Sequence, residues 1–197
     1  MDNWKNILDE DILKNNIFFV TVFVMTFECL KQSVIEQIRT FYSEHFSLVG
    51  DEMVYEESSA YKEKVRALDK NIENASLKWF IDSGAITQED YDTYQEIRKR
   101  RNDITHQLLK NLYNGFVEED ARLFADMLRI YNKLDKWWIN EIEIPTSTDE
   151  IPEDYDRDSV CSGQALMLSI INEIVFGNDE EKYKELLNEL TKRGLCT

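Results

Sequence analysis

Between Glu10 and Phe46 the sequence contains neither glycine nor proline, and this gap constrains the fold more than any other feature. A stretch of that length without a helix breaker predicts one helix of many turns. Its first half, residues 17–30, is apolar nearly all round, which predicts a central, buried helix. Its second half turns amphipathic, with Leu30, Val34, Ile38, Phe41 and His45 along one stripe at steps of three and four. The apolar run spans 14 residues and includes Glu28. That is too short and too polar for a bilayer span and fits a core helix.

The sparse breakers punctuate the remainder. A turn is expected around residues 48–50. A second helix is expected over 59–82, with Val65, Leu68, Ile72, Ala75, Trp79 and Phe80 at helical spacing, stopped by Ser83 and Gly84. Thr87 stands at an N-cap position before Gln88, Glu89 and Asp90, whose acids complement the helix dipole. This third helix should run over 88–114, with Gly115 just beyond its end. A fourth, over 118–142, carries a wide apolar face of Phe124, Met127, Leu128, Tyr131, Leu134, Trp137 and Trp138, and Pro145 ends it. Both prolines and many acids then fall in one loop. Shorter helices over 159–176 and 179–192 close the chain. The expected architecture is all-α: an antiparallel helical bundle with a long N-terminal helix over 1–142, an acidic loop over 143–158, and a C-terminal helical appendage over 159–197 packed on the bundle.

Composition narrows the function. Six glycines and two prolines argue against a turn-rich β-sandwich, and four Trp, nine Tyr and ten Phe argue against disorder. A formal charge of −16 repels nucleic acid and anionic membranes, so any nucleic-acid role requires a local basic patch. Three cysteines, Cys29, Cys161 and Cys196, form no paired spacing and suit a reducing cytoplasm. The N-terminus is acidic and amphipathic, unlike a secretory signal.

One window departs from this acidity. From Glu96 to Leu112 there are five basic and two acidic residues, a net +3, leaving 18 basic and 37 acidic residues, or −19, elsewhere. Tyr94, Ile97, Ile104, Leu108 and Leu112 mark the buried stripe of this helix, and Arg101 falls near its middle at 100° per residue. A guanidinium there must be paired, reach water along its stem, or line a cleft. Glu28, the only charge between Lys14 and Lys31, is a candidate partner. Asn102 and His106 are i, i+4 neighbours at the stripe's edge beside Tyr113, and Arg101 and Thr105 share the same spacing. Lys99 and Arg100 are expected on a solvated face.

The string Arg101-Asn102-Asp103-Ile104-Thr105-His106 resembles the motif of the HEPN family, the higher eukaryotes and prokaryotes nucleotide-binding domains. That pattern is an Arg, often a polar second residue, a short spacer and a His. The first long segment, with Glu28 after an apolar run and a later Tyr42, is similar to the first helix of several bacterial HEPN groups. Gln107 follows the His, where several of those groups have Gly. The resemblance implies an all-α fold and a metal-independent endoribonuclease that needs no cofactor. His106 would serve as general base on a ribose 2′-hydroxyl or as acid on the leaving 5′-oxygen, Arg101 would stabilise the phosphorane-like transition state, and Asn102 would orient the phosphate or imidazole. Thr105, Glu28 and Tyr113 would support the site, and Arg98 and Lys110 would contact RNA. The products would carry 2′,3′-cyclic phosphate and 5′-hydroxyl ends. The resemblance further implies a homodimer with motifs meeting at the interface, an RNA substrate, and an antitoxin or regulatory partner in a toxin–antitoxin or antiviral setting; charge and cysteine usage add the expectation of no membrane and a cytoplasmic location. The alternative is a non-catalytic HEPN-like scaffold or nucleotide-binding module. Charge alone leaves a third reading, an acidic protein that binds basic partners.

Other residues point elsewhere. His45 is expected to complement the dipole at the end of its helix, joining the chemistry only if the fold sets it beside Arg101. The loop 149–158 lacks the spacing and glycine of a calcium-binding loop. Cys161 and Cys196 have no adjacent base. Trp137 and Trp138 suit core packing better than base stacking.

Overall fold

The structure, a computed structural model, describes residues 3–50, 52–148, 150–151 and 153–176. The helix expected over 179–192 and Cys196 lie outside the described residues. The chain divides into two compact units, Met1–Cys161 and Ser162–Thr197.

The first unit is an all-α bundle built on one long helix. A short helix α1 (Lys5–Leu8) leads into α2 (Glu10–Phe41), which begins where Asp9 accepts a hydrogen bond from the Ile12 amide. Acids Glu10 and Asp11 occupy the first turn of α2 and Arg39 the last, matching the helix dipole at both ends. The buried side of α2 carries Val22, Phe23, Thr26, Phe27, Leu30, Val34 and Ile38, so the all-round apolar run resolves into one packed face and one open face. Ile17 and Phe18 stay exposed on the open face. By length and composition α2 is also long and apolar enough to cross a bilayer, and a third of its most apolar window is buried within the protein.

The helix ends at Phe41, short of the expected 46, because the chain turns into a hairpin. Strands β1 (Phe46–Val49) and β2 (Glu52–Tyr55) pair antiparallel, Phe46 opposite Tyr55 and Val49 opposite Glu52, around Gly50 at φ +67°. His45 therefore lies past the helix, exposed, with its carbonyl accepting from Glu56 N and Ser43 Oγ. It does not complement the α2 dipole.

The expected second helix is two. Helix α3 (Ser59–Lys64), capped by Ser58, passes through a 3-10 turn (Arg66–Leu68), and α4 (Ile72–Asp82) starts afresh at the cap Asn71. Asp69 breaks the run, since its carboxylate accepts from the Asn71 amide and pairs with Lys78 at 2.6 Å. Helix α5 (Gln88–His106) opens on a full capping box between Thr87 and Asp90. It is followed by α6 (Leu108–Asn114), which ends at Gly115 with φ +78°. Helix α7 (Glu118–Trp138) relaxes into a π-helical turn (Ile139–Glu143) and a last turn α8 (Ile144–Thr146) containing Pro145.

Helices α4, α5 and α7 pack on α2. Phe80, Tyr94, Ile97, Ile104, Met127 and Ile130 fill the centre with no measurable exposure. Phe27 meets Tyr94 at 5.7 Å between rings, and Trp137 meets Trp79 and Phe80 edge-on at about 6 Å. Trp138 is buried, so the tryptophan pair serves the core. The end of the acidic loop is strapped to the π-helical turn. Tyr155 donates to Asn140 Oδ1 at 2.5 Å, Asn140 Nδ2 donates to the Arg157 carbonyl at 3.1 Å, and Arg157 pairs with Glu141. In the second unit, α9 (Gly163–Phe176) starts where Ser162 Oγ accepts from the Ala165 amide at 3.1 Å.

Candidate functional site at the end of α5

The basic window splits into two systems on different sides of α5. Arg100 turns toward α7 and α6. Its Nε donates to Asp120 Oδ1 at 2.5 Å, and its Nη1 donates to Asp103 Oδ2 and Asn111 Oδ1, both at 2.7 Å. Its guanidinium also lies 5.7 Å from the Phe116 ring centroid. Arg100 is thus a structural tie, contrary to the solvated-face expectation, while Lys99 is exposed. Asp120 is engaged twice, for its second oxygen accepts from the Val117 amide at 2.9 Å and caps α7.

Arg101 turns toward α2. Its Nη2 pairs with Glu28 Oε1, its Nη1 donates to Asn102 Oδ1 at 3.2 Å, and its guanidinium carbon stands 5.7 Å from the Phe27 ring centroid. The Arg101 side chain is 25% exposed and that of Glu28 43%, so the pair sits at the protein–water boundary. Arg101 Nε is buried and has no hydrogen-bond partner among the described residues. A groove of about 480 Å³ runs from Glu28 along α2, lined also by Lys31, Gln32, Ile35 and Glu36.

His106 is the last residue of α5 and is exposed. Five residue steps lead to it from Arg101, about 7.5 Å of rise and 140° of rotation. Asn102 and Thr105 lie between them, both exposed. Thr105 Oγ1 turns back to the carbonyls of Arg101 and Asn102 at 3.0 and 3.1 Å, so its hydroxyl serves the helix.

The helix breaks directly after the imidazole. Gln107 has φ −125°, ψ 37°, and no glycine or proline announces the break. Asn111 holds it. Its Nδ2 donates to the carbonyls of Asp103 and Gln107 at 3.2 and 3.1 Å, adding a second hydrogen bond to each beside those from the Gln107 and Asn111 backbone amides. Gln107 Nε2 adds a bond to Asp103 Oδ1 at 2.8 Å. Because of the break, Leu108 leaves the expected buried stripe and is 40% exposed.

Arg101, Asn102, Thr105 and His106 all stand on the last two turns of α5, and Glu28 on α2 meets Arg101, but His106 faces about 140° round the helix from Arg101 and makes no side-chain contact with the Arg101–Glu28 pair. Tyr113 stands apart from them in its contacts. Its ring packs edge-on against Trp4 at 5.5 Å and its carbonyl accepts from Asn6 at 2.9 Å. Arg98 belongs to another cluster, donating to Asn74 Oδ1 at 3.0 Å and lying 3.6 Å from Glu73, which also accepts from the buried Tyr94 hydroxyl at 2.7 Å. Lys110 is exposed and donates to Gln107 Oε1 at 2.9 Å. His45 is remote, since 13 helical residues place Phe41 about 20 Å beyond Glu28. Sequence reasoning missed Arg100, Asn111 and Phe27. An i, i+3 pairing of Arg100 with Asp103 was the one local signal for the first.

No family model, curated protein or solved structure matches this chain.

Proposed function

We propose that the chain is a metal-independent endoribonuclease of HEPN type, acting in the cytoplasm on an RNA phosphodiester. The observation that carries this reading is the joint placement of Arg101, Asn102 and His106 on the solvent-reachable last turns of α5. In the proposed reaction an imidazole takes the proton from a ribose 2′-hydroxyl. The 2′-oxygen attacks phosphorus, and the 5′-oxygen leaves as a hydroxyl with a proton from a second imidazole. Arg101 balances the charge that grows on the non-bridging oxygens. Each chain offers one His on this helix, so acid and base come from two copies. Support for a homodimer with the site at its interface comes from Ile17 and Phe18, exposed on the side of α2 that carries Glu28. An antitoxin or other regulatory partner would hold such an enzyme in check.

The test is RNA cleavage in EDTA by wild type, Arg101→Ala and His106→Ala, with analysis of the product ends. Cleavage by wild type alone, leaving 2′,3′-cyclic phosphates, is the expected result. Equal cleavage by all three would sink the assignment. The pairing of Arg101 with Glu28 favours a second reading, a non-catalytic scaffold or nucleotide-binding module, in which His106→Ala changes nothing.

A further inference from the structure

A guanidinium recognises an oxyanion through two parallel N–H bonds along one edge. In Arg101 the Nε–Nη2 edge is half used. Glu28 takes Nη2, whereas Nε is buried with no acceptor among the described residues. A buried donor without an acceptor is unfavourable, and an anion with two free oxygens on this edge would satisfy both hydrogens at once. The edge is held in place from below by the ring of Phe27 and from the side by Asn102. Glu28 is the partner with room to move: its carboxylate is nearly half exposed, on the open face of α2, and borders the groove. Lys31 lines that groove three residues further along the helix, within reach of a displaced Glu28 carboxylate.

We infer that Glu28 is a built-in competitor for the phosphate group that Arg101 would take on its Nε–Nη2 edge. The carboxylate occupies the edge in the empty protein and swings toward Lys31 when a phosphate group arrives. Binding therefore requires displacement of an internal anion, which sets a threshold against weakly held phosphates. The RNA phosphodiester as the arriving group rests on the ribonuclease reading above, whereas the subsite rests on the unpartnered donor.

The experiment measures binding of a fluorescent 2′-O-methyl oligoribonucleotide, which cannot cyclise, to wild type, Glu28→Gln, Glu28→Ser and the double variant Glu28→Gln/Arg101→Ala. Inorganic phosphate is titrated in parallel against protein carrying ¹⁵N-labelled arginine. Both single variants are expected to bind the oligonucleotide about tenfold more tightly, and the double variant to lose that gain. In wild type the Arg101 Nε–H resonance is expected to move as inorganic phosphate is added. Single variants that fold normally yet bind no more tightly would overturn the competitor, as would a resonance that phosphate leaves unmoved. EDTA cleavage on the same samples separates the two readings. A binding gain without cleavage by any variant removes the ribonuclease and keeps the subsite, and cleavage without a binding gain does the reverse.

Discussion

Arg100 and Arg101 are neighbours in sequence, yet each is tied to a different helix. Arg100 reaches Asp120 on α7 at 2.5 Å, and Arg101 reaches Glu28 on α2. Their surroundings differ as much as their partners. The Asp120 side chain is 4% exposed, against 43% for Glu28.

That contrast predicts outcomes of different size from the same substitution. Arg100→Ala strands a buried carboxylate and should lower the unfolding free energy by about 3 kcal/mol. Arg101→Ala removes a boundary ion pair and should change stability by no more than about 1 kcal/mol, while abolishing any cleavage. Urea titrations of the two variants check this, and a large loss for Arg101→Ala alone would reverse the assignment.

Asp90 is expected to contribute to the acid limb of stability. Burial raises its pKa, but hydrogen bonds from Lys133, Arg129 and Thr87 outweigh burial and hold the carboxyl well below the usual carboxylate range. The unfolded chain thus binds its proton first as pH falls. Asp90's contribution is complete above an ordinary carboxylate pKa of about 4 and is lost progressively below it. Asp90→Asn should lower stability at pH 7 and flatten the decline between about pH 5 and pH 2. Unfolding midpoints across that range test it, and a decline as steep as in wild type would exclude Asp90 as its source.

Gly115 is required twice over. Its φ of +78° disfavours a side chain, and a Cβ there would sit 2.9 Å from the side-chain Nδ2 of Asn6, which is itself held by its bond to the Tyr113 carbonyl. Gly115→Ala should cost about 1–2 kcal/mol. Adding Asn6→Ala should recover the steric part and leave the backbone part, which a double-mutant cycle resolves.

If two copies meet on the open face of α2, Phe18→Glu should yield a species of one chain mass, 23.4 kDa, where wild type has twice that. Light scattering after gel filtration reads both masses. A wild type already at one chain mass would remove the interface.

Much of this architecture was legible in the sequence, because its signals are local. The missing breakers before Phe46 announced α2, Thr87 and Asp90 announced the start of α5, and Pro145 marked the end of the α7 segment. The breaks that went unread have no such residue. At Gln107 the chain leaves the helix because Asn111 reaches back to its carbonyls, and at Asp69 because a carboxylate meets Lys78 two turns later. The hairpin after Phe41 has strands of four residues, too short to show a period. For the site, an acid on α2 was readable as a partner for Arg101, since Glu28 is the lone charge in an apolar run. The role of Arg100 was not, because two of its partners lie on α6 and α7.

The elbow at Gln107 fixes where His106 stands, and Asn111 and Arg100 fix the elbow. None of these side chains need ever meet a substrate. Two chains alike in Arg101 and His106 but different at Asp120 would therefore share a motif and not a site. Drift at a buried acid outside the motif would then disturb both stability and site geometry, through one side chain.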